Sequence, residues 1–336
     1  MGNRQRNFIQ TLNRQERLLP AEPLAKHTTF QIGGKAKYLV VVKDLDNLQK
    51  ILKLTLAHNL AYFIIGAGSN LLISDQGFPG IVIKLGKGFS QLAVQGETII
   101  SGAGVKLADL IKFAYENGLE GTEFLYGIPG TLGGAIMNNA GAFSHCTGDI
   151  IESVAGIRVN SQFEIENLKL SRNQIEFGYR KSGLSKDFII TEAAITLIKS
   201  EPKKIQSKIE RIKKRRRETQ PWGASAGSVF KNPKPVPAGK LLDQAGLKGF
   251  SVGEAYVSPK HANFIMNRSH ATFNDVLELI QIMKMRVEKK TGIILEEEIE
   301  IVPSDRLEVR NWSLKTNHQT SITGHKSVGG ENNGKK

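Results

Sequence analysis

Residues 126–142 read YGIPGTLGGAIMNNAGA: five glycines, a proline, two adjacent asparagines and no charge. Glycine loses more conformational freedom on ordering than any other residue, so such a run needs an offsetting reason. Close approach is one. A planar ring or a pyrophosphate demands backbone within reach, and a Cβ at Gly130, Gly133 or Gly134 would stand in the way. Backbone N–H groups acting together hold an anion without a charged side chain. A wall without charge also leaves a redox-active ring free of a strong local ion. The stretch therefore reads as the lining of a dinucleotide cofactor, and on its residues alone equally as a buried glycine loop at a domain hinge.

A second loop, GAGSN at 66–70, follows the apolar run YFII directly. Gly66 and Gly68 let successive N–H groups point into one concavity, while Ser69 and Asn70 add short side-chain donors. Turns use the same residues, and neither the G-x-G-x-x-G spacing nor the Gly-Lys-Ser/Thr ending of a P-loop is present. The rest of the chain alternates strand and helix signals. Strands are predicted at 37–42, 62–74 around the glycine turn, 81–85, 97–102, 150–159, 188–198 and 293–302. Helices are predicted at 46–59, 106–117, 203–217 and 272–290, the last ended by Gly292. This is an α/β pattern with four parts: an N-terminal extension (1–26), a first domain (27–200), a second domain (201–302) and a polar, disordered tail (303–336).

The 336 residues are 40% hydrophobic and 23% charged, enough for an ordinary core. No apolar run approaches the ~20 residues of a membrane span, and the start lacks the apolar centre of a secretory signal. A single cysteine, Cys146, excludes a disulfide framework, dithiol redox chemistry and a cysteine-rich metal site. No metal site is expected, and the composition fits a cytoplasmic protein. The net charge of +14 raises the possibility of nucleic acid. The densest basic run, 203–217, carries Ile205, Ile209 and Ile212 on one helical face, lacks interleaved aromatics, and reads as a solvated helix face instead. An anionic small substrate would also suit a basic surface.

Taken in order, FQIGGKA, GAGSNLLISD, GIPGTLGGAIMNNAGA, FGYRKSGL, GSVFKNP, AGKLLDQAGLKG, KHANFIMN and LEEEIEI closely resemble the UDP-N-acetylenolpyruvoylglucosamine reductase family across residues 27–302. The resemblance implies an FAD-binding fold of the vanillyl-alcohol-oxidase (PCMH) type with two α/β subdomains, plus a smaller C-terminal α/β substrate domain. It implies bound FAD, NADPH as co-substrate, and a UDP-sugar enolpyruvyl substrate, with no nucleic-acid partner. Hydride would pass from NADPH to FAD and from flavin N5 to the enolpyruvyl C3. The glycine loops become cofactor residues: Gly66, Gly68, Ser69 and Asn70 in one, and Gly127, Ile128, Pro129, Gly130, Gly133, Gly134, Ala135, Asn138, Ala140 and Gly141 in the other.

Three residues match the family's catalytic positions: Arg180, Ser228 and Glu298. Arg180 offers a permanently charged fork for the substrate carboxylate. Glu298, kept neutral by burial, would donate to the same carboxylate. Ser228 would hand its proton to the substrate C2, with Lys231 steadying the alkoxide. Glu296 is a rival for Glu298, since both would share one face of a strand there and Glu297 would not. Tyr179, Lys231, Asn232 and His261 are expected at the substrate. Without the resemblance each of these has an ordinary reading as a surface charge, a turn residue or a satisfied histidine. The cofactor loops alone also admit another flavoprotein oxidoreductase, a sugar or alcohol oxidase. Two departures stand out from the family pattern: Gly253-Glu254 where paired glycines are usual, and VPSD after the last strand.

Overall fold

The computed structural model describes residues 17–160, 164–185 and 187–304. The near-continuous apolar run AKYLVVV becomes β2 (Ala36–Val42), buried on both faces as a parallel strand requires. It lies in a sheet ordered β1-β2-β5-β3, formed by β1 (Arg17–Pro20), β2, β3 (Tyr62–Ile65) and β5 (Phe78–Leu85). β1 is antiparallel to β2, whereas β2, β5 and β3 run parallel. Helix α1 (Leu45–Ala57) starts where the Asp44 carboxylate accepts from the Asn47 N–H, and it buries Leu48, Ile51 and Leu52 on this sheet.

The expected extension therefore enters the fold over part of its length: residues 17–20 add an edge strand and Leu24 is wholly buried. Residues 1–16, and the tail over 305–336, lie outside the described residues.

A second sheet, ordered β9-β8-β10-β7-β6, is antiparallel throughout. Its strands are β6 (Leu92–Gln95), β7 (Thr98–Gly102), β8 (Ile151–Val159), β9 (Ile165–Ser171) and β10 (Phe188–Thr196). Helix α2 (Leu107–Glu116) and the short α3 (Leu132–Met137) cover it through Leu107, Leu110, Leu132 and Ile136. Helix α4 (Pro202–Thr219) leans on the same core with Ile209 and starts with proline at its first turn.

The chain then builds α5 (Ala238–Gln244) and a small antiparallel sheet of β11 (Ser251–Val252), β12 (Ala255–Val257) and β13 (Ile265–Asn267). Helix α6 (Phe273–Thr291) packs on this layer with Val276, Leu279, Ile280 and Met283. A Thr272/Asp275 capping box opens it, and Gly292 at φ 70° closes it in the left-handed region. Phe30, Ile32 and Leu72 from the N-terminal part are buried in this same cluster.

One predicted element is shorter than the sequence suggests. Of residues 293–302, only β14 (Glu300–Val302) is a strand, parallel to β4 (Leu71–Ile73). The preceding segment meets Phe230 through a single antiparallel bridge at Glu297. It changes partner within a few residues, from 229–231 to β4, and no continuous ladder serves both.

Candidate active site

The two glycine loops face each other. A Cβ at Gly66 would lie 2.6 Å from Thr131 Oγ1, and one at Gly130 would lie 3.6 Å from Ser69 Oγ. Gly68 at φ 61° sits so close to His27 that a Cβ would be 2.1 Å from its carbonyl oxygen, so only glycine fits. A Cβ at Gly130 or Gly134 would meet its nearest neighbours at an ordinary 3.6 Å, whereas Gly133 packs on Ala103 and Gly141 on the carbonyl of His145. The bareness of the last two serves the protein's own packing.

An FAD tests well against this cradle. Among the described residues, the backbone N–H groups of Ala67, Gly68, Ser69 and Asn70 have no acceptor, which is the donor set of a phosphate-binding nest. Lys84 and Lys106 stand nearby; neither forms an ion pair with a described residue. The Lys84 ammonium is pushed down by burial and then by the charge of Lys106. Ile128, Pro129, Ala135, Asn138 and Ala140 complete the run: Ile128 N–H donates to Leu125 O, and Ala140 N–H to Ala135 O.

The charge-free wall expected from the sequence is not what the fold presents. Helix α4 brings Arg216 against Gly127, within 2.8 Å of where a Cβ would stand. The basic helix is thus only partly a solvated face, because Arg216 is buried and Lys208 is paired with Glu120. The signal was present in the sequence: Ile205, Ile209 and Ile212 continue at helical spacing to Arg216.

Arg180 and Glu298 meet beside this cradle. Arg180 Nε lies 2.5 Å from Glu298 Oε1, an ionic contact whose N–H is not aligned for a hydrogen bond. Arg180 Nη1 donates to Gly141 O at 3.1 Å, which ties the arginine to the end of the glycine stretch. Asn139 Nδ2 donates to Gly178 O at 2.7 Å and fastens the same turn. Arg180 (φ 55°), Asn139 (φ 42°) and Phe143 (φ 56°) all hold left-handed backbone without being glycine, and strain of that kind gathers at functional sites.

Burial pushes the Glu298 carboxyl above the usual carboxylate range, opposed by Arg180 and then Lys231. Its rivals face elsewhere: Glu296 pairs with Lys231 at 3.2 Å, and Glu297 with Lys284 at 2.9 Å. Because 293–299 is not a regular strand, strand alternation is not the reason; the short pairing with 229–231 is. Glu298 N–H donates to Val229 O at 2.7 Å and Lys231 N–H to Glu296 O at 2.9 Å. Asn70 Nδ2 donates to Glu298 O at 3.1 Å, joining that carboxyl's backbone to the phosphate-type loop.

Ser228 immediately precedes Val229, the residue whose carbonyl accepts from Glu298 N–H. Its hydroxyl makes no hydrogen bond among the described residues. A residue missed in the sequence fixes this segment. Asn263, 2% exposed, accepts from Phe230 N–H through Oδ1 at 2.9 Å and donates from Nδ2 to Phe230 O at 2.8 Å. A buried amide that satisfies both backbone groups of one residue is legible only once the partner is known.

Tyr179 lies under Arg180, ring centroid 5.2 Å from its guanidinium carbon, and its hydroxyl accepts from Asn232 N–H at 3.1 Å. Asn232 Oδ1 accepts from Ala238 N–H at 3.1 Å. Arg180, Ser228, Glu298, Tyr179, Lys231 and Asn232 are thus joined by contacts or by immediate sequence. His261 stands apart, its ring over Gly239 and its Nδ1 accepting from Asn263 N–H at 3.2 Å. Burial lowers its pKa.

Comparison with known proteins agrees with this layout. Residues 36–161 match the model of an FAD binding domain, and residues 219–302 match the UDP-N-acetylenolpyruvoylglucosamine reductase C-terminal domain. The chain is similar to the UDP-N-acetylenolpyruvoylglucosamine reductase of Clostridium kluyveri, 42% identical over 286 residues, covering 84% of this chain and 92% of that one. It is 37% identical to the reductase of Bacillus velezensis over 306 residues, covering 89% and 99%. The crystal structure of the reductase (MurB) from Thermus caldophilus superposes with a TM-score of 0.73 at 34% identity, covering 86% of this chain and 99% of that one.

Fold and cradle together define an FAD-dependent oxidoreductase with a cofactor domain of the vanillyl-alcohol-oxidase (PCMH) type. Within that class the chain belongs to the UDP-N-acetylenolpyruvoylglucosamine reductase family.

Proposed function

We propose that the chain reduces the enolpyruvyl ether of UDP-N-acetylglucosamine to UDP-N-acetylmuramate in peptidoglycan precursor synthesis, with NADPH as reductant. The observation that carries this reading is the half-buried Arg180–Glu298 contact, held between the glycine cradle and the Ser228 segment. FAD, when bound, supplies the hydride that a reduced nicotinamide gives it. The residues that would hold it are Gly66, Gly68, Ser69 and Asn70, with 127–141 as the facing wall.

The chain's own residues then have separable tasks. Arg180 offers Nη2, which has no partner among the described residues, to a substrate carboxylate. A fixed guanidinium there stabilises the negative charge that the carboxylate and its neighbouring carbon acquire. Glu298, whose carboxyl burial makes easier to protonate, would donate to the same oxygens in its protonated form. Ser228 keeps a free hydroxyl for the basic carbon centre, and Lys231 lends positive charge to the alkoxide left behind. Tyr179 and Asn232 form the rim for the nucleotide-sugar portion. His261, which packs on Gly239 away from that rim, would meet the substrate only as the family resemblance implies.

The division into a cofactor domain (27–200) and a substrate domain (201–302) belongs to this reading. So does action in the cytoplasm, where both NADPH and nucleotide sugars are found. None of the described helices is long and apolar enough to cross a membrane.

The test separates the two half-reactions. In Ser228→Ala, NADPH should bleach the flavin at the wild-type rate, while reoxidation by the enolpyruvyl substrate slows about 10²–10⁴-fold, the range lost with a general acid. Fast reoxidation in that variant, measured by stopped-flow absorbance, refutes the proton-donor role. A protein that takes up no FAD refutes the whole reading.

A further inference from the structure

The chain exchanges one pairing partner for another between 296 and 300, and Glu298 stands at that exchange. Glu298 N–H donates to Val229 O at 2.7 Å, and Ile299 N–H reaches the same carbonyl at 3.4 Å. The ladder with β4 begins only at Glu300, opposite Leu71. The Glu298 carbonyl therefore falls outside both pairings. A carbonyl shielded even in part from water needs a donor. Asn70 supplies it: Nδ2 donates to Glu298 O at 3.1 Å, and among the described residues no other donor reaches that oxygen.

Asn70 is also the last residue of the GAGSN loop. Its N–H, like those of Ala67, Gly68 and Ser69, has no acceptor among the described residues, so its backbone belongs to the phosphate-type nest. Its carbonyl accepts from Glu300 N–H at 2.8 Å. The Asn70 side chain and carbonyl thus hold the two peptide groups that flank Ile299. The sequence suggests a short side-chain donor for the cofactor at this position. In the fold that donor is already engaged by the backbone of Glu298.

We propose that Asn70 is a positioning residue for Glu298: its side chain fixes the backbone from which the carboxyl faces Arg180, and does so from the loop that takes the cofactor's phosphates. The inference rests on the function proposed above. It divides the tasks of one residue, with the backbone N–H serving the cofactor and the side-chain amide serving the acid of the second half-reaction. An anion in the nest gives the N–H groups of 67–70 an acceptor, and the loop so ordered holds Nδ2 in place for Glu298. Placement matters here more than affinity, since a displacement of about 1 Å costs on the order of 10²-fold in rate.

The test uses Asn70→Ala saturated with FAD and single-turnover stopped-flow absorbance. Reoxidation by the enolpyruvyl substrate should slow about 10–100-fold more than reduction by NADPH does. The loss should appear in the rate at saturating substrate and not in the half-saturating concentration. As pH rises, reoxidation should also fail at lower pH than in wild type, because a carboxyl released toward solvent gives up its proton more readily. Half-reactions that change together, or not at all, overturn the proposal; weaker FAD binding alongside would return the side chain to the phosphates. A lower melting temperature with the pH dependence of reoxidation unmoved marks a structural role only, and also overturns it.

Wild-type protein gives a second arm should Asn70→Ala fail to fold. Amide hydrogen exchange at Glu298 and Glu300 should be about tenfold slower in the holoenzyme than in protein stripped of FAD. Equal exchange in the two overturns the proposal. Wild-type reduced flavin that the enolpyruvyl substrate never reoxidises overturns the function proposed above, whereas normal reoxidation in Asn70→Ala beside an active wild type overturns this proposal alone.

Discussion

Glu298 shows how much a single carboxyl depends on its surroundings. The sequence offers three adjacent glutamates, and nothing in their chemistry separates them. Contacts do: one faces Lys231, one Lys284, and one Arg180 in a half-buried place. With its pKa raised by burial, the folded protein holds the Glu298 proton more tightly than the unfolded chain does. This contribution to stability is complete below the unfolded carboxyl's titration and is lost as pH rises through the raised folded value. Glu298→Gln removes that dependence, so the variant's melting temperature should gain on wild type as pH rises above the unfolded carboxyl's range, about pH 4. Thermal unfolding across that rise checks it; a gain toward acid pH instead would contradict the raised pKa. Arg180→Lys keeps a charge but loses the planar fork. It should lower kcat with the enolpyruvyl substrate far more than it slows flavin reduction by NADPH, in the same stopped-flow experiment.

At the level of elements, helix and strand positions were largely legible because period 2 and period 3.6 patterns are local properties. Residues 37–42, 81–85, 106–117 and 272–290 fall on β2, β5, α2 and α6 with ends shifted by only a few residues. The expected strand over 293–302 was not legible at its true length. Alternation specifies an extended chain but not when that chain exchanges one pairing partner for another. The glycine stretch was legible as a cradle and misread as a neutral one, since the charge on it arrives from α4. Gly127→Ala tests that contact: left-handed backbone (φ 77°) costs a residue with a Cβ about 1–2 kcal/mol. The new methyl would also press on Arg216 Cδ at 2.8 Å. Urea unfolding should show a loss of at least that size, and the purified variant should retain less flavin.

Over the whole molecule, the C-terminal layer is not an independent body. Phe30, Ile32 and Leu72 are buried with Val229, Phe230, Leu295 and Ile299, and β4 pairs with β14. Heat should therefore unfold the chain in one calorimetric transition. Phe30→Ala, which empties a wholly buried site, should lower that transition by about 3–5 kcal/mol while keeping it single. Two separable transitions would refute the shared core. By itself the sequence determined the α/β class, the two glycine loops and the motifs that hold Arg180, Ser228 and the three glutamates at 296–298, because local periodicity and motif order are carried by neighbouring residues. Only the tertiary structure decided which glutamate meets Arg180, that Asn263 pins the Ser228 segment, and that Arg216 stands on Gly127. Those are contacts between residues far apart along the chain, and their energies depend on burial and distance, which no local pattern encodes.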